Sequence, residues 1–282
     1  MNKQKIAILC GDTRLKHLKD RLQANFQVDN YGVTGLENSK PTPFECVKDC
    51  DFLILPLPCC KPSSTMLNSS ESIDLKDVLN GGKNITVLAG KPPKDLYEFC
   101  CKSNITLIDY YTEEYEVLNA VPSAEGAIKI ALENTDFTLF GSSCFILGFG
   151  RIGKILAKML SGFGANITVC ARKPEVLAMA SCLGFNTQNI YNIENLNNAD
   201  IIFNTVPSLI LDAKNLLNVK KDAFIIDLAS LPGGCDFESA NNLGLKFVHA
   251  LGLPGIIAPK TSSDIMANCI CSLIEERRIN GT

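Results

Sequence analysis

The chain has 282 residues, 46% of them hydrophobic and 20% charged, with a formal net charge of −3. That length accommodates two domains with separate cores, and the composition is that of globular material, which excludes a disordered or fibrous chain. The slightly negative balance provides no basic field for nucleic acid, no apolar run is long enough for a membrane span, and the N-terminus leads into a strand without a secretory core, so a cytoplasmic protein is expected.

In chain order, the first predicted strand covers residues 6–11 and opens onto Gly11-Asp12-Thr13-Arg14. An arginine clamps a carboxylate through two parallel hydrogen bonds and a neighbouring acid orients it, so Asp12 and Arg14 are candidate substrate-binding residues. The competing reading makes Asp12 a helix N-cap and puts Arg14 on the surface. Apolar stretches at 51–58, 85–93 and 105–109 read as further strands alternating with helices. A bridging helix is expected over 119–135, beginning near Pro122. In it Ser123 is a candidate substrate hydrogen-bond donor and Glu125 a candidate proton acceptor, against simple helix capping for both.

Residues 143–147 are apolar and β-prone, and Gly148-Phe-Gly-Arg-Ile-Gly153 follows. Ile152, Ile155, Leu156, Met159, Leu160 and Phe163 then recur at helical spacing. Gly148 permits the tight turn, Gly150 lets a diphosphate approach the backbone, and Gly153 allows close helix–strand packing; Arg151 and Ile152 complete the turn. The helix N-terminus offers free N–H groups and the positive end of its dipole. A second strand over 167–170 ends in Ala171-Arg172-Lys173, where an NAD site has an acid for the ribose hydroxyl. Two cations there suit a 2′-phosphate, so Arg172 and Lys173 point to NADP; as solvated loop cations they would carry no such meaning.

The segment 200–207 repeats the pattern of 51–58: an acid, an apolar strand, and a proline seven residues on. Its exit loop places Thr205, Val206 and Pro207 on the cofactor side. Ser230, in Asp227-Leu-Ala-Ser-Leu-Pro-Gly-Gly234, is a candidate donor to a carboxamide or substrate oxygen, while Asp227 reads as a turn-capping acid. His249 ends the last strand and can titrate near neutrality. Lys260 precedes the last helix and is a candidate carboxylate ligand or general acid, against a generic surface lysine. That helix is expected to start near 261–264, with an apolar stripe of Ile265, Met266, Cys269, Ile270, Leu273 and Ile274. The pattern gives an α/β fold of two Rossmann-like parallel-sheet domains, the second carrying the dinucleotide fingerprint. Residues 1–120 form the substrate side and 121–282 the NADP-binding domain, with a return of the last helix onto the first domain left open.

Thirteen cysteines and two histidines make up the rest of the reactive inventory. The odd count, the absence of a C-x-x-C pair and the placement of several cysteines in strands and helices read as reduced thiols used as small hydrophobes, with no metal site. The adjacent Cys59-Cys60 pair leaves a redox role open.

Taken together, Gly-Asp-x-Arg near the start, Asn119-Ala-Val-Pro-Ser-Ala-Glu-Gly-Ala-Ile128, Gly-Phe-Gly-Arg-Ile-Gly, Asp-Leu-Ala-Ser-x-Pro-Gly-Gly-x-Asp-Phe237 and Gly-Leu-Pro-Gly-x-x-Ala-Pro-Lys-Thr261 resemble the dipicolinate synthase A-subunit family over nearly the whole chain. The resemblance implies an NADP-linked oxidation of dihydrodipicolinate to dipicolinate, performed with a flavoprotein-like second subunit in the mother cell of a spore-forming bacterium. A homo-oligomer acting on a small dicarboxylate is expected. The resemblance carries over no catalytic residue, so roles rest on position: Arg14 and Lys260 counter the two carboxylates, and Glu125, with His249 behind it, takes the proton. Two other readings stay open: an NADP-dependent dehydrogenase of another small 2-hydroxy or 2-amino acid, and a non-catalytic dinucleotide-binding subunit.

Overall fold

The computed structural model describes residues 3–59, 73–80, 85–193 and 195–280. The chain divides into two compact units, one made of the residues up to Leu118 together with those from Ala258 onward, the other of Asn119–Ile257.

The first unit contains a parallel sheet of β1 (Lys5–Leu9), β2 (Gln27–Tyr31), β3 (Phe52–Ile54), β4 (Thr86–Ala89) and β5 (Thr106–Asp109), in the order β2-β1-β3-β4-β5. Such a sheet is covered on both faces, so alternate side chains of one strand enter different cores. In β1, Ile6 and Ile8 pack with Leu15 and Leu18 of α1 (Thr13–Leu22), while Ala7 and Leu9 pack with Leu53, Val87 and Leu96. The last helix, α11 (Pro259–Asn280), adds Met266, Ile270 and Ile274 to the α1 side. Ala258 and all that follows thus lie with the first unit, the arrangement that the pattern left open. α11 begins at Pro259, two residues ahead of the sequence-based start, because proline at a first helical position loses no hydrogen bond. Between these elements lie α2 (Pro43–Val47), α3 (Leu75–Asn80) and α4 (Lys94–Lys102).

α5 (Glu113–Asn134) carries the chain from the first unit to the second. It starts nine residues before Pro122, a correction to the expected start. Thr112 Oγ1 accepts from the Tyr115 N–H at 3.2 Å and three acids fill the first turn, so the helix has a strong beginning of its own and tolerates an internal proline.

The second unit holds β6 (Ser143–Leu147), α6 (Arg151–Gly162), β7 (Asn166–Ala171), α7 (Pro174–Cys182), β8 (Asn186–Asn189), β9 (Ile201–Asn204), α8 (Ala213–Leu216), β10 (Phe224–Asp227), α9 (Phe237–Asn242), β11 (Lys246–His249) and α10 (Leu253–Ile257). Its parallel sheet runs β11-β10-β9-β6-β7-β8, the dinucleotide-fold order, with the reversal between β6 and β9. The fold is therefore α/β with two Rossmann-like parallel sheets. Among the described residues no helix is long and apolar enough to cross a membrane. Burial pushes the thiols of Cys46 and Cys170 up to about 12, which keeps them neutral as core side chains. Cys60 and the later part of the 56–62 loop lie outside the described residues.

Candidate functional site

At the reversal point β6 ends in Leu147 and the chain turns through Gly148 at φ +93°. A Cβ there would lie 2.5 Å from Thr205 Oγ1 and 2.8 Å from Val206 Cγ2, so glycine is required for conformation and for space alike. Gly150 is the N-cap of α6, and a Cβ on it would meet nothing within 4 Å. A Cβ on Gly153 would strike the carbonyl oxygen of Gly148. The turn is thus tight against the sheet and open on its outer side, the shape a diphosphate needs at a helix N-terminus.

A groove of about 560 Å³ runs along this turn, bounded by Gly148, Phe149 and Gly150, by Ala171, Arg172 and Lys173 after β7, and by Val206, Ser208, Leu209 and Ile210 after β9. Arg172 and Lys173 are exposed, and no acid stands between β7 and α7. Sequence reasoning missed Ile190, Tyr191 and Leu209 on this rim. Ile190 and Tyr191 follow β8, whose polar Asn-Thr-Gln-Asn sequence gives no strand signal. Thr205 is a brace within the site: its Oγ1 donates to the Leu147 carbonyl at 2.9 Å. Arg151 and Pro207 are exposed beside it.

A second, smaller cavity of about 110 Å³ lies under Ile152, lined by Ser123, Leu228, Ser230 and residues 250–254. The structure therefore brings Ser123, Ile152 and Ser230 together. Ser123 is buried and its Oγ donates to the Asn119 carbonyl at 2.9 Å. Glu125 is exposed on α5 and does not line this cavity. The loop carrying Ser230 is held from beneath by Asp227, fully buried, which accepts from the Ala229 N–H at 3.0 Å, the Gly234 N–H at 2.7 Å and Asn204 Nδ2 at 2.8 Å. His249 supports the same loop. Its Nε2–H donates to the Ala229 carbonyl at 2.8 Å and its ring stacks on Phe237 at 5.1 Å.

In the first unit Asp12 caps α1 and also takes both ends of a bidentate pair with Arg14, at 2.9 Å from Nε and 2.7 Å from the terminal nitrogen. The same terminal nitrogen donates to the Leu57 carbonyl at 2.8 Å. Burial pulls the Arg14 pKa down, but the hydrogen bond and charge of Asp12 outweigh it and hold the guanidinium above its ordinary value. Asp12 is thus the helix cap of the competing reading, while Arg14 is drawn in beside it and not left on the surface. Lys260 stands apart from them, exposed at the start of α11, in a polar groove with His17, Asp20, Arg21, Asp264 and Asn268.

Comparison with known proteins agrees with this geometry. Residues 5–111 match the model of the N-terminal domain of the dipicolinate synthase A-subunit. Residues 124–230 match that of the D-isomer specific 2-hydroxyacid dehydrogenase, NAD binding domain. The chain is 32% identical over 290 residues to the dipicolinate synthase A-subunit of Bacillus subtilis (strain 168), spanning 96% of each. The crystal structure of the corresponding protein from Bacillus halodurans superimposes with a TM-score of 0.86 at 29% identity, covering 96% of this chain and 98% of the other. A D-lactate dehydrogenase from Escherichia coli, at 13% identity and a TM-score of 0.66 over 99% of this chain and 98% of the other, shares the fold alone. The second unit is accordingly a nicotinamide-dinucleotide-binding domain of dehydrogenase type, and the chain belongs to the dipicolinate synthase A-subunit family.

Proposed function

We propose that the chain is the NADP-linked dehydrogenase subunit of a dipicolinate synthase. It oxidises dihydrodipicolinate to dipicolinate together with a flavoprotein-like second subunit, in the mother cell of a sporulating bacterium. The observation that carries the cofactor choice is the pair Arg172 and Lys173 on the rim of the fingerprint groove, in the place an NAD site gives to an acid. In this reading the amides around Gly148–Gly153 and the start of α6 hold the diphosphate, Arg172 and Lys173 hold the 2′-phosphate, and the cavity beneath Ile152 and Ser230 takes the nicotinamide end. When bound, the nicotinamide supplies the hydride acceptor.

Aromatisation of the substrate also releases a proton. Glu125, exposed on α5, is the proposed acceptor; His249, which like Glu125 does not line the small cavity, donates Nε2–H to the Ala229 carbonyl and keeps Nδ1 as the alternative base. The remaining residues orient: Asp227 and His249 shape the Ser230 loop, and Thr205 holds the turn. Since the product is aromatic, positioning supplies most of the rate.

The test is direct. Full-length chain, NADP and freshly made dihydrodipicolinate, with and without the partner subunit, should generate pyridine absorbance. Arg172→Ala should weaken NADP binding roughly ten- to a hundredfold and leave NAD binding unchanged, as a lost charge-assisted contact to the 2′-phosphate requires. No pyridine in any arm rejects the proposed reaction; tight NADP binding without turnover favours a dinucleotide-binding subunit whose chemistry sits in the partner.

A further inference from the structure

Among the described residues, two that are neither Gly, Asn nor Asp have a left-handed backbone: Cys10 at φ +58° and Lys91 at φ +51°. Both lie just beyond the carboxyl ends of first-unit strands, Cys10 after β1 and Lys91 after β4. L-residues with a Cβ avoid this region, and such outliers gather where ligands bind. Core packing accounts for Cys10, whose side chain is fully buried. It does not account for Lys91, whose side chain is exposed. Glycine would take this backbone freely, so a lysine here is there for its side chain.

The surroundings hold that side chain in place. One oxygen of Asp109 accepts both the Lys91 N–H at 3.1 Å and the Tyr111 N–H at 2.8 Å. The two residues are thereby locked together, and the Lys91 ammonium sits 4.0 Å above the centre of the Tyr111 ring. The preceding Gly90 is packed so closely that a Cβ would lie 2.7 Å from Leu57 Cδ1 and 2.9 Å from the Tyr110 hydroxyl. Its carbonyl accepts from the Cys59 N–H at 3.1 Å, and Leu57 is the residue whose carbonyl binds Arg14. Arg14, Leu57, Gly90 and Lys91 therefore form one continuous rim at the carboxyl edge of the first sheet, the edge at which open parallel sheets bind ligands. The charges along this rim differ. Arg14 is neutralised by Asp12, whereas no carboxylate among the described residues lies within ion-pair distance of the Lys91 ammonium.

We propose that Lys91, poised on Tyr111 and fixed through Asp109, is the substrate-binding cation of the first unit, holding a carboxylate of a small planar dicarboxylate; Lys260, in its separate groove, has no part in this. The inference rests on the substrate class proposed above and adds the residue that recognises it.

Calorimetric titration of dipicolinate into the full-length chain, in the presence of NADP and the partner subunit, tests it. Lys91→Gly should bind dipicolinate about ten- to a hundredfold more weakly, the loss expected of a charge-assisted contact, with NADP affinity unchanged and a melting temperature equal to or above wild type. Lys91→Arg should retain most of the affinity. Lys94→Ala, which removes an equally charged and fully solvated neighbour, should behave as wild type. If Lys91→Gly does not fold, Lys91→Met, of similar length and uncharged, should show the same loss. Wild-type affinity in the glycine or methionine variant overturns the role of Lys91 and leaves the proposed reaction standing, as does an equal loss in Lys94→Ala. A wild-type complex that binds no dipicolinate overturns the substrate class and this inference with it.

Discussion

Gly150 and Gly153 lie three residues apart in one turn and are glycines for different reasons, which separates stability from binding experimentally. A methyl group at 150 enters open space on the side where a diphosphate would lie, while one at 153 meets the carbonyl of Gly148. Gly150→Ala should therefore melt close to wild type and lose at least about tenfold in NADP affinity. Gly153→Ala should lose about 1–3 kcal/mol in urea unfolding through overpacking, whatever the nucleotide. These residues were legible because their spacing encodes a backbone path. Side-chain direction was not legible in the same way. Ser123 and Glu125 look alike as polar residues after a proline, yet Ser123 turns inward and bonds its own helix while Glu125 faces solvent. His249 reads as a titratable group and serves as a strut. Each outcome depends on a partner distant in sequence or on a helix start that the local pattern did not reveal.

At the scale of elements, the central strands announced themselves, as did β5 and β11 at two of the sheet margins, whereas β2 and β8 did not. β2 reads Gln-Val-Asp-Asn-Tyr and β8 Asn-Thr-Gln-Asn, both at a sheet margin and both without an apolar run; in β2 Asp29 and Asn30 are buried all the same, and Asn30 Nδ2 donates to the Glu37 carbonyl at 3.0 Å, a partner the local pattern does not reveal. The acid that precedes a central strand was visible as a repeat, and the structure shows its use. Asp51 accepts from the Lys5 N–H at 2.7 Å, and Asp200 from the Ser143 N–H at 2.8 Å, so in each unit it ties the start of β3 or β9 to the start of the neighbouring central strand. Lys220 adds a 2.8 Å contact to Asp200. Burial acts to raise the pKa of Asp200, but the Lys220 hydrogen bond and the Ser143 amide outweigh it and hold the carboxyl below its ordinary 3.8. A lowered folded-state pKa means stability that is present above 3.8 and lost as pH falls through the lower folded value. Asp200→Asn should thus cost up to about 1 kcal/mol at neutral pH, since the pair is partly solvated, and the gap should close in acid, as read from urea unfolding at pH 7 and near pH 2.5.

On the scale of the whole molecule, the two sheets follow one scheme. Reading β2-β1-β3-β4-β5 beside β8-β7-β6-β9-β10-β11 shows the same strand succession around a reversal, with β8 as the second unit's added edge. The first unit is completed by the far end of the chain. Met266, fully buried on α11, packs in the same core as Ile6 and Leu15. Met266→Ala should cost about 2–5 kcal/mol, and limited proteolysis should show residues near the N-terminus becoming sensitive together with α11. Fold class, the dinucleotide turn and family were determined by the sequence by itself, because hydrophobic period, glycine spacing and ordered motifs are local properties of a chain. Only the tertiary structure decided which cations stand free, which polar groups are already bonded and where the last helix belongs. Those outcomes depend on groups brought together from distant positions, and a pattern along the chain holds no record of who meets whom.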